Sequence, residues 1–77
     1  MLNVTIIATV HANTYQPPEG RACWHTVRDA SEASGVSESS IRRACRAAGV
    51  ERIAGRTVSG MVELRCGSRV GYMPYAR

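Results

Sequence analysis

The chain begins with a stretch of apolar residues that do not have the spacing of a helix face. Residues 2–10 are rich in Val, Ile and Thr and contain no helix breaker, although the pair Ile6-Ile7 interrupts strict alternation. β-branched residues favour extended backbone, so the pattern predicts an N-terminal strand within residues 1–10. Residues 11–25 hold two Pro and a Gly and are predicted to form a loop.

A first helix is predicted from its start and stop signals. Thr26 stands at the N-cap position, and Asp29 follows three residues later, where a capping-box carboxylate lies. The helix is predicted to run to about Ser34 and to end at Gly35, which can adopt the left-handed backbone of a helix end. Trp24, just before this helix, is predicted to be an anchor in the core.

A second helix follows after three residues. Ser37 is its predicted N-cap, and Gly49 its predicted end. Four small or apolar residues recur at helical spacing and define its buried face: Ile41, Ala44, Cys45 and Ala48. Two capped helices with so short a connection predict a helix-turn-helix over residues 26–48.

The period of the pattern changes again after this helix pair. Residues 50–66 contain two apolar stretches on either side of a segment bracketed by Gly55 and Gly60, which predicts a β-hairpin with its tip between these glycines. Residues 67–77 contain Gly71 and Pro74 and are predicted to be an irregular or edge-like tail. The whole chain, residues 1–77, is therefore predicted to be one domain of the α+β class.

Positive charge is concentrated in the second half of the chain. The protein has 77 residues, a formal net charge of +4 and no Lys, so every basic side chain is an Arg. Residues 38–56 carry five Arg against two Glu, whereas residues 1–27 are neutral. Arg presents a planar fork of donors that fits phosphate and the edge of guanine. This half is therefore predicted to face a polyanion.

The polar side of the second helix carries the candidate binding residues. On a helical wheel, its arginines and Ser39 lie opposite the apolar face, and further serines lie near the N-terminus. Those positions are where a recognition helix contacts base edges and phosphates. The candidates on this helix are Ser37, Ser39, Ser40, Arg42, Arg43 and Arg46.

Residues Thr26 to Ala44 resemble the helix-turn-helix of excisionase-type and MerR-type winged-helix proteins. In those families a Thr-Val-(Arg/Lys)-Glu-Ala-Ala helix precedes Gly-Val-Ser and a Ser/Thr-rich recognition helix, and this chain has Thr-Val-Arg-Asp-Ala-Ser before Gly-Val-Ser. The resemblance implies a winged helix-turn-helix whose residues 37–47 enter the major groove, with Arg52 and Arg56 as wing contacts. It also implies a sequence-specific regulator of transcription or recombination in a phage or mobile element, often acting in several copies on DNA.

Some alternatives stay open from the sequence. The N-terminal strand is expected to pair either within its own chain or with another protomer, because an unpaired apolar edge invites association. The thin core of so short a chain also makes a homodimer a serious possibility. The main competing function is that of a protein-binding adaptor or inhibitor, which would use the same basic helix face to bind an acidic partner.

Other classes of function find little support. Three Cys with wide spacing, together with His11 and His25, lack the short spacing of a zinc site, so no metal or cofactor is expected. The sequence shows no paired carboxylates, no phosphate-binding loop and no nucleophile–histidine pair. An enzyme is therefore not expected. The chain lacks a recognisable membrane span or signal peptide, so a cytoplasmic protein without membrane contact is expected.

Overall fold

A computed structural model describes residues 5–53 and 57–76 of the chain. These residues form an α+β fold of two helices and a five-stranded mixed sheet. In chain order the elements are β1 (Ile6–Ala12), β2 (Ala22–Cys23), α1 (Val27–Ser34), α2 (Glu38–Ala47), β3 (Arg52–Ile53), β4 (Gly60–Cys66) and β5 (Arg69–Ala76). Neither described helix, at 8 and 10 residues, has the length and apolar character that crossing a bilayer requires.

The sheet is organised around the two long strands β4 and β5. Its strand order is β1-β4-β5-β2, and β3 also pairs with β5. β4 is antiparallel to both of its neighbours, β1 and β5, whereas β2 runs parallel to β5. The N-terminal strand prediction is confirmed for Ile6–Ala12, and this strand pairs within its own chain, with Ile6 opposite Cys66 and Ala12 opposite Gly60.

The predicted hairpin over residues 50–66 is wrong. Arg52–Ile53 pairs with β5 and not with β4, and the partners of β4 are β1 and β5. The hairpin of this fold is instead β4–β5, which turns at Gly67 and Ser68. A two-residue connection joins these long strands with less loss of chain entropy than a longer loop would require.

The predicted irregular tail over residues 67–77 is also wrong, because Arg69–Ala76 forms β5, which pairs with three other strands. Gly71 and Pro74, taken as breakers, both lie within it, since packing against neighbouring strands outweighs local propensity. The predicted loop over residues 11–25 is shorter than expected, because β1 continues through Ala12 and Ala22–Cys23 joins the sheet.

Both helices begin at their predicted caps, α1 ends at Gly35 as predicted, and α2 ends at Ala47, two residues before the predicted Gly49. The Thr26 hydroxyl accepts a hydrogen bond from the Asp29 amide at 3.0 Å, and Gly35 ends α1 with φ of 78°. The Ser37 hydroxyl accepts from the Ser40 amide at 3.3 Å and so caps α2. Since each cap satisfies an amide that has no partner within the helix, the sequence fixes these boundaries locally.

The core lies between the two helices and one face of the sheet. Side chains with no solvent exposure come from the helices (Ala30 and Ile41) and from the sheet (Val62, Leu64 and Met73). Trp24 is 7% exposed and belongs to the same core, which confirms its predicted role as an anchor. Because α2 buries Ile41 and Cys45 against the sheet, its opposite side is left in solvent.

Candidate nucleic-acid interface

The outer face of α2 carries a row of exposed arginines. Ile41 and Cys45 are buried, whereas Arg42, Arg43 and Arg46 are exposed. The 3.6-residue period of the helix produces this separation, since the arginines fall between the buried positions. The structure thus places all three predicted arginines on the accessible side of the helix.

The three predicted serines differ in accessibility. The Ser37 hydroxyl is occupied in the N-cap and also donates a hydrogen bond to the Ser40 Oγ at 2.8 Å. Ser40 is half-buried, whereas Ser39 is exposed, and the Oγ atoms of Ser37 and Ser39 lie 3.4 Å apart. Ser39 is therefore the serine best placed to meet a ligand, and Ser37 holds the start of the helix.

Two of the helix arginines have no carboxylate partner among the described residues. Arg42 Nη2 lies 3.1 Å from Glu38 Oε1 on the same helix, with both side chains largely in solvent. Within the described ranges 5–53 and 57–76, Arg43 and Arg46 form no ion pair. An exposed i,i+4 pair contributes only about 0.3–0.5 kcal/mol, so the Glu38 contact leaves Arg42 available to a phosphate.

A cavity of about 480 Å³ adjoins the arginine face of α2. It lies between the start of α1, the exposed side of α2 and β3, and four arginines from these three elements line it: Arg28, Arg42, Arg46 and Arg52. Two carboxylates, Glu38 and Glu51, and the imidazole of His25 lie among them, and the remaining lining is mostly apolar. The arginines outnumber the carboxylates, so the cavity favours an anion.

Arg52 and Arg56 were predicted as contacts of a hairpin wing. Arg52 is exposed on β3 and lines the cavity, so it lies beside α2 although the predicted hairpin does not form. Arg56 lies outside the described residues. The sequence did not indicate that Arg28, in α1, and His25, just before α1, would line the same cavity. Their proximity depends on how α1 packs beside α2.

A second polar cluster lies on the sheet face away from the helices. The His11 and Tyr15 rings stack with centroids 3.9 Å apart, and the Tyr72 hydroxyl donates to Glu63 Oε1 at 3.3 Å. His11 Nε2 is 3.4 Å from the same carboxylate oxygen. A hydrogen bond with Tyr15, together with burial and Glu63, raises the pKa of Tyr72 to about 12. The cluster packs on this face of the sheet.

The cysteines do not form a metal site with other described residues. Cys45 and Cys66 are buried in the core, and burial raises the pKa of each thiol, whereas Cys23 is exposed. No group of three or more potential ligands among His, Cys, Asp and Glu comes together in residues 5–53 and 57–76.

Comparisons of the chain with protein-family models, with curated proteins and with solved structures find no match.

Proposed function

We propose that this protein binds double-stranded DNA and that α2 is its recognition helix. The observation that carries the proposal is the exposed row of Arg42, Arg43 and Arg46 on a helix whose other side is buried. A helix anchored in this way can enter a major groove without losing core contacts, and its arginines can reach guanine edges or phosphates. Ser39, near the start of the helix, adds a hydroxyl that can donate to either.

The cavity beside α2 supplies the phosphate contacts in this proposal. Arg28 comes from the first turn of α1 and Arg52 from β3, so both flank the recognition helix without belonging to it. A backbone phosphate at this position would be held by arginines and by the positive end of α1. Contacts of this kind fix the register of a protein on the duplex, and the α2 side chains would then read the sequence.

The proposed binding mode is that of a winged helix-turn-helix. α1 and α2 act as the helix pair, and β3, with Arg52, takes the backbone-contacting role that the resemblance assigns to a wing. The same resemblance supports a sequence-specific regulator of transcription or recombination in a phage or mobile element.

Duplex binding by fluorescence anisotropy across a salt series tests the proposal. Arg42→Ala, Arg43→Ala and Arg46→Ala are compared with Arg65→Ala, which lies on β4. Arg65 is a matched control because its side chain is 55% exposed and adjacent to a glutamate, as is that of Arg42. We expect a loss of about 5- to 150-fold for any arginine that reads a base, and a uniform loss across sequences for one that contacts phosphate.

Two outcomes would contradict the proposal. One is the absence of duplex binding by the wild type at low salt, where phosphate neutralisation by arginine is strongest. The other is an equal loss for Arg65→Ala and for the α2 variants, which would show that only net charge matters. In the first case a protein-binding adaptor that uses the same arginines becomes the hypothesis to test.

A further inference from the structure

The outer edge of β1 has no strand partner in the part of the chain that the structure describes. β1 is the terminal strand of the sheet order, and its only strand partner among the described residues is β4. The strand Ile6–Ala12 contains no Lys, Arg, Asp, Glu, Pro or Gly. Proteins usually protect a long sheet edge with charges, a proline or a bulge, because its free N–H and C=O groups pair readily with another strand. β1 carries none of these residue-level protections.

The same strand exposes large apolar side chains. Ile7 is 52% and Val10 is 36% exposed, and these are two of the three large hydrophobic residues exposed in the described part of the chain. They point to opposite faces of the sheet, because neighbouring residues of a strand alternate. A partner strand added at this edge would therefore reduce the exposure of apolar surface on both faces.

The helices cover only one half of β1. Alternate residues of β1 pair with the buried residues of β4 and lie on the same face of the sheet as these partners. They are Ile6, Ala8, Val10 and Ala12. Ile6 and Ala8 pack against the core, whereas Val10 and Ala12 are exposed. On this face, β1 therefore has a covered half, which contains Ile6 and Ala8, and a bare half, which contains Val10 and Ala12.

We propose that two copies of this chain associate by antiparallel pairing of their β1 strands about a two-fold axis at Thr9, the middle residue of the strand. In this register Val10 faces the partner's Ala8, and Ala12 faces the partner's Ile6. The bare half of each strand therefore meets the covered half of the other, and the two helix layers lie at opposite ends of the strand pair. On the other face, Ile7 lies opposite the partner's His11.

This complementarity favours a second copy over an unrelated strand. An isologous pairing repeats every contact twice, so each fit of a bare half against a covered half occurs at both ends of the strand pair. The two-fold axis is perpendicular to the sheet, so both α2 helices lie on one side of the dimer. Given the DNA binding proposed above, this arrangement presents two arginine faces to the same DNA.

Sedimentation equilibrium without nucleic acid, over a series of protein concentrations, tests the dimer. One strand pair buries less area than a standard stable interface, so we expect wild-type dimers that dissociate on dilution. Thr9 is exposed, and the variants Thr9→Lys and Thr9→Glu each place two like charges opposite one another at the axis. Both new side chains also lie opposite Glu63 of their own chain, which attracts the lysine and repels the glutamate, so folding of each variant is verified separately. Each variant alone is expected to be monomeric, and an equal mixture of the two is expected to restore the dimer.

A matched control is Thr57→Lys, which adds the same charge at an exposed threonine outside β1 and is expected to dimerise as the wild type does. Circular dichroism of each variant verifies that the monomer is folded. A wild type that stays monomeric at every concentration overturns the proposal, and so does a Thr9→Lys variant that dimerises normally. A folded mixture that stays monomeric overturns the register at Thr9. None of these outcomes depends on DNA, so they are separate from the test of DNA binding.

Discussion

The indole ring of Trp24 occupies the space that a side chain at position 71 would fill. A Cβ atom built on Gly71 would overlap carbon atoms of that ring, closer than real Cβ contacts allow. The Trp24 amide also donates to the Tyr72 carbonyl at 2.7 Å, so the residue is held to β5 by its backbone and by its ring. This close approach explains why a glycine lies inside a long strand.

Replacing Gly71 by Ala is expected to lower the free energy of unfolding by about 1–3 kcal/mol, because the added methyl group overpacks the Trp24 ring. Urea denaturation followed by circular dichroism measures the change. In a Trp24→Leu background the same substitution should cost less, since the smaller side chain leaves room. An equal cost in both backgrounds would contradict the contact between these residues.

Ile41 is expected to be the most sensitive position of α2. Its side chain has no solvent exposure, and Ile41→Ala should lower the free energy of unfolding by about 2–5 kcal/mol through lost burial and the cavity left behind. Arg43→Ala, on the exposed side of the same helix, is the control and should change stability by no more than about 0.5 kcal/mol. Similar losses for both would mean that α2 does not pack as described.

Substitutions at Ser37 and Ser39 are expected to have different effects on stability and on duplex binding. Ser37→Ala removes the cap of α2 and should cost about 1 kcal/mol in the free energy of unfolding. Ser39→Ala should leave stability nearly unchanged but weaken duplex binding, because its hydroxyl is exposed at the start of the proposed recognition helix. Thermal unfolding and anisotropy, measured on both variants, give the comparison. A stability loss confined to Ser39→Ala would contradict the assignment of the cap.

The three thiols are expected to react at different rates. Burial raises the pKa of Cys45 and of Cys66 above the ordinary value of 9.0, so few of these thiols are ionised near pH 8, whereas Cys23 is exposed. Iodoacetamide should therefore modify one thiol quickly in the native protein and all three in denaturant. Cys23→Ser should remove the fast phase. A fast phase that persists in this variant would contradict the burial of the other two.

The raised pKa values of the two buried thiols also predict how the free energy of unfolding changes with pH. The folded state binds these two protons more tightly than the unfolded state does, so their contribution to stability is complete below about pH 9. The free energy of unfolding should fall as the pH rises through 9 and above. Denaturation at pH 8 and pH 10 measures the change, and higher stability at pH 10 would contradict it.

The parts of the fold that could be predicted from the sequence are those set by local chemistry. Thr26 and Ser37 cap the two helices because their hydroxyls reach amides only three residues away. Likewise, the exposed row of arginines on α2 follows from the helical period and the apolar residues between them. Each of these features depends on residues close together in the sequence, so no knowledge of the tertiary structure was needed.

The strand β5 and the cavity depend instead on contacts between distant segments. Gly71 and Pro74 have low strand propensity, and only the pairing of β5 with its neighbours and the fit of Trp24 make this segment extended. In the same way, Arg28 and Arg52 line one cavity because α1 and β3 meet beside α2. Nothing in the spacing of these residues along the chain indicates that they meet.

The position of β5 in the sheet has a consequence for folding during protein synthesis. β2 and β3 pair with no described strand other than β5, so neither can join the sheet before residues 69–76 have left the ribosome. Until then, β4 also lacks its β5 partner, and the surface that packs on β5 stays uncovered. The sheet is therefore completed only after residues 69–76 have emerged, and a chain interrupted before residue 69 would expose apolar surface to chaperones.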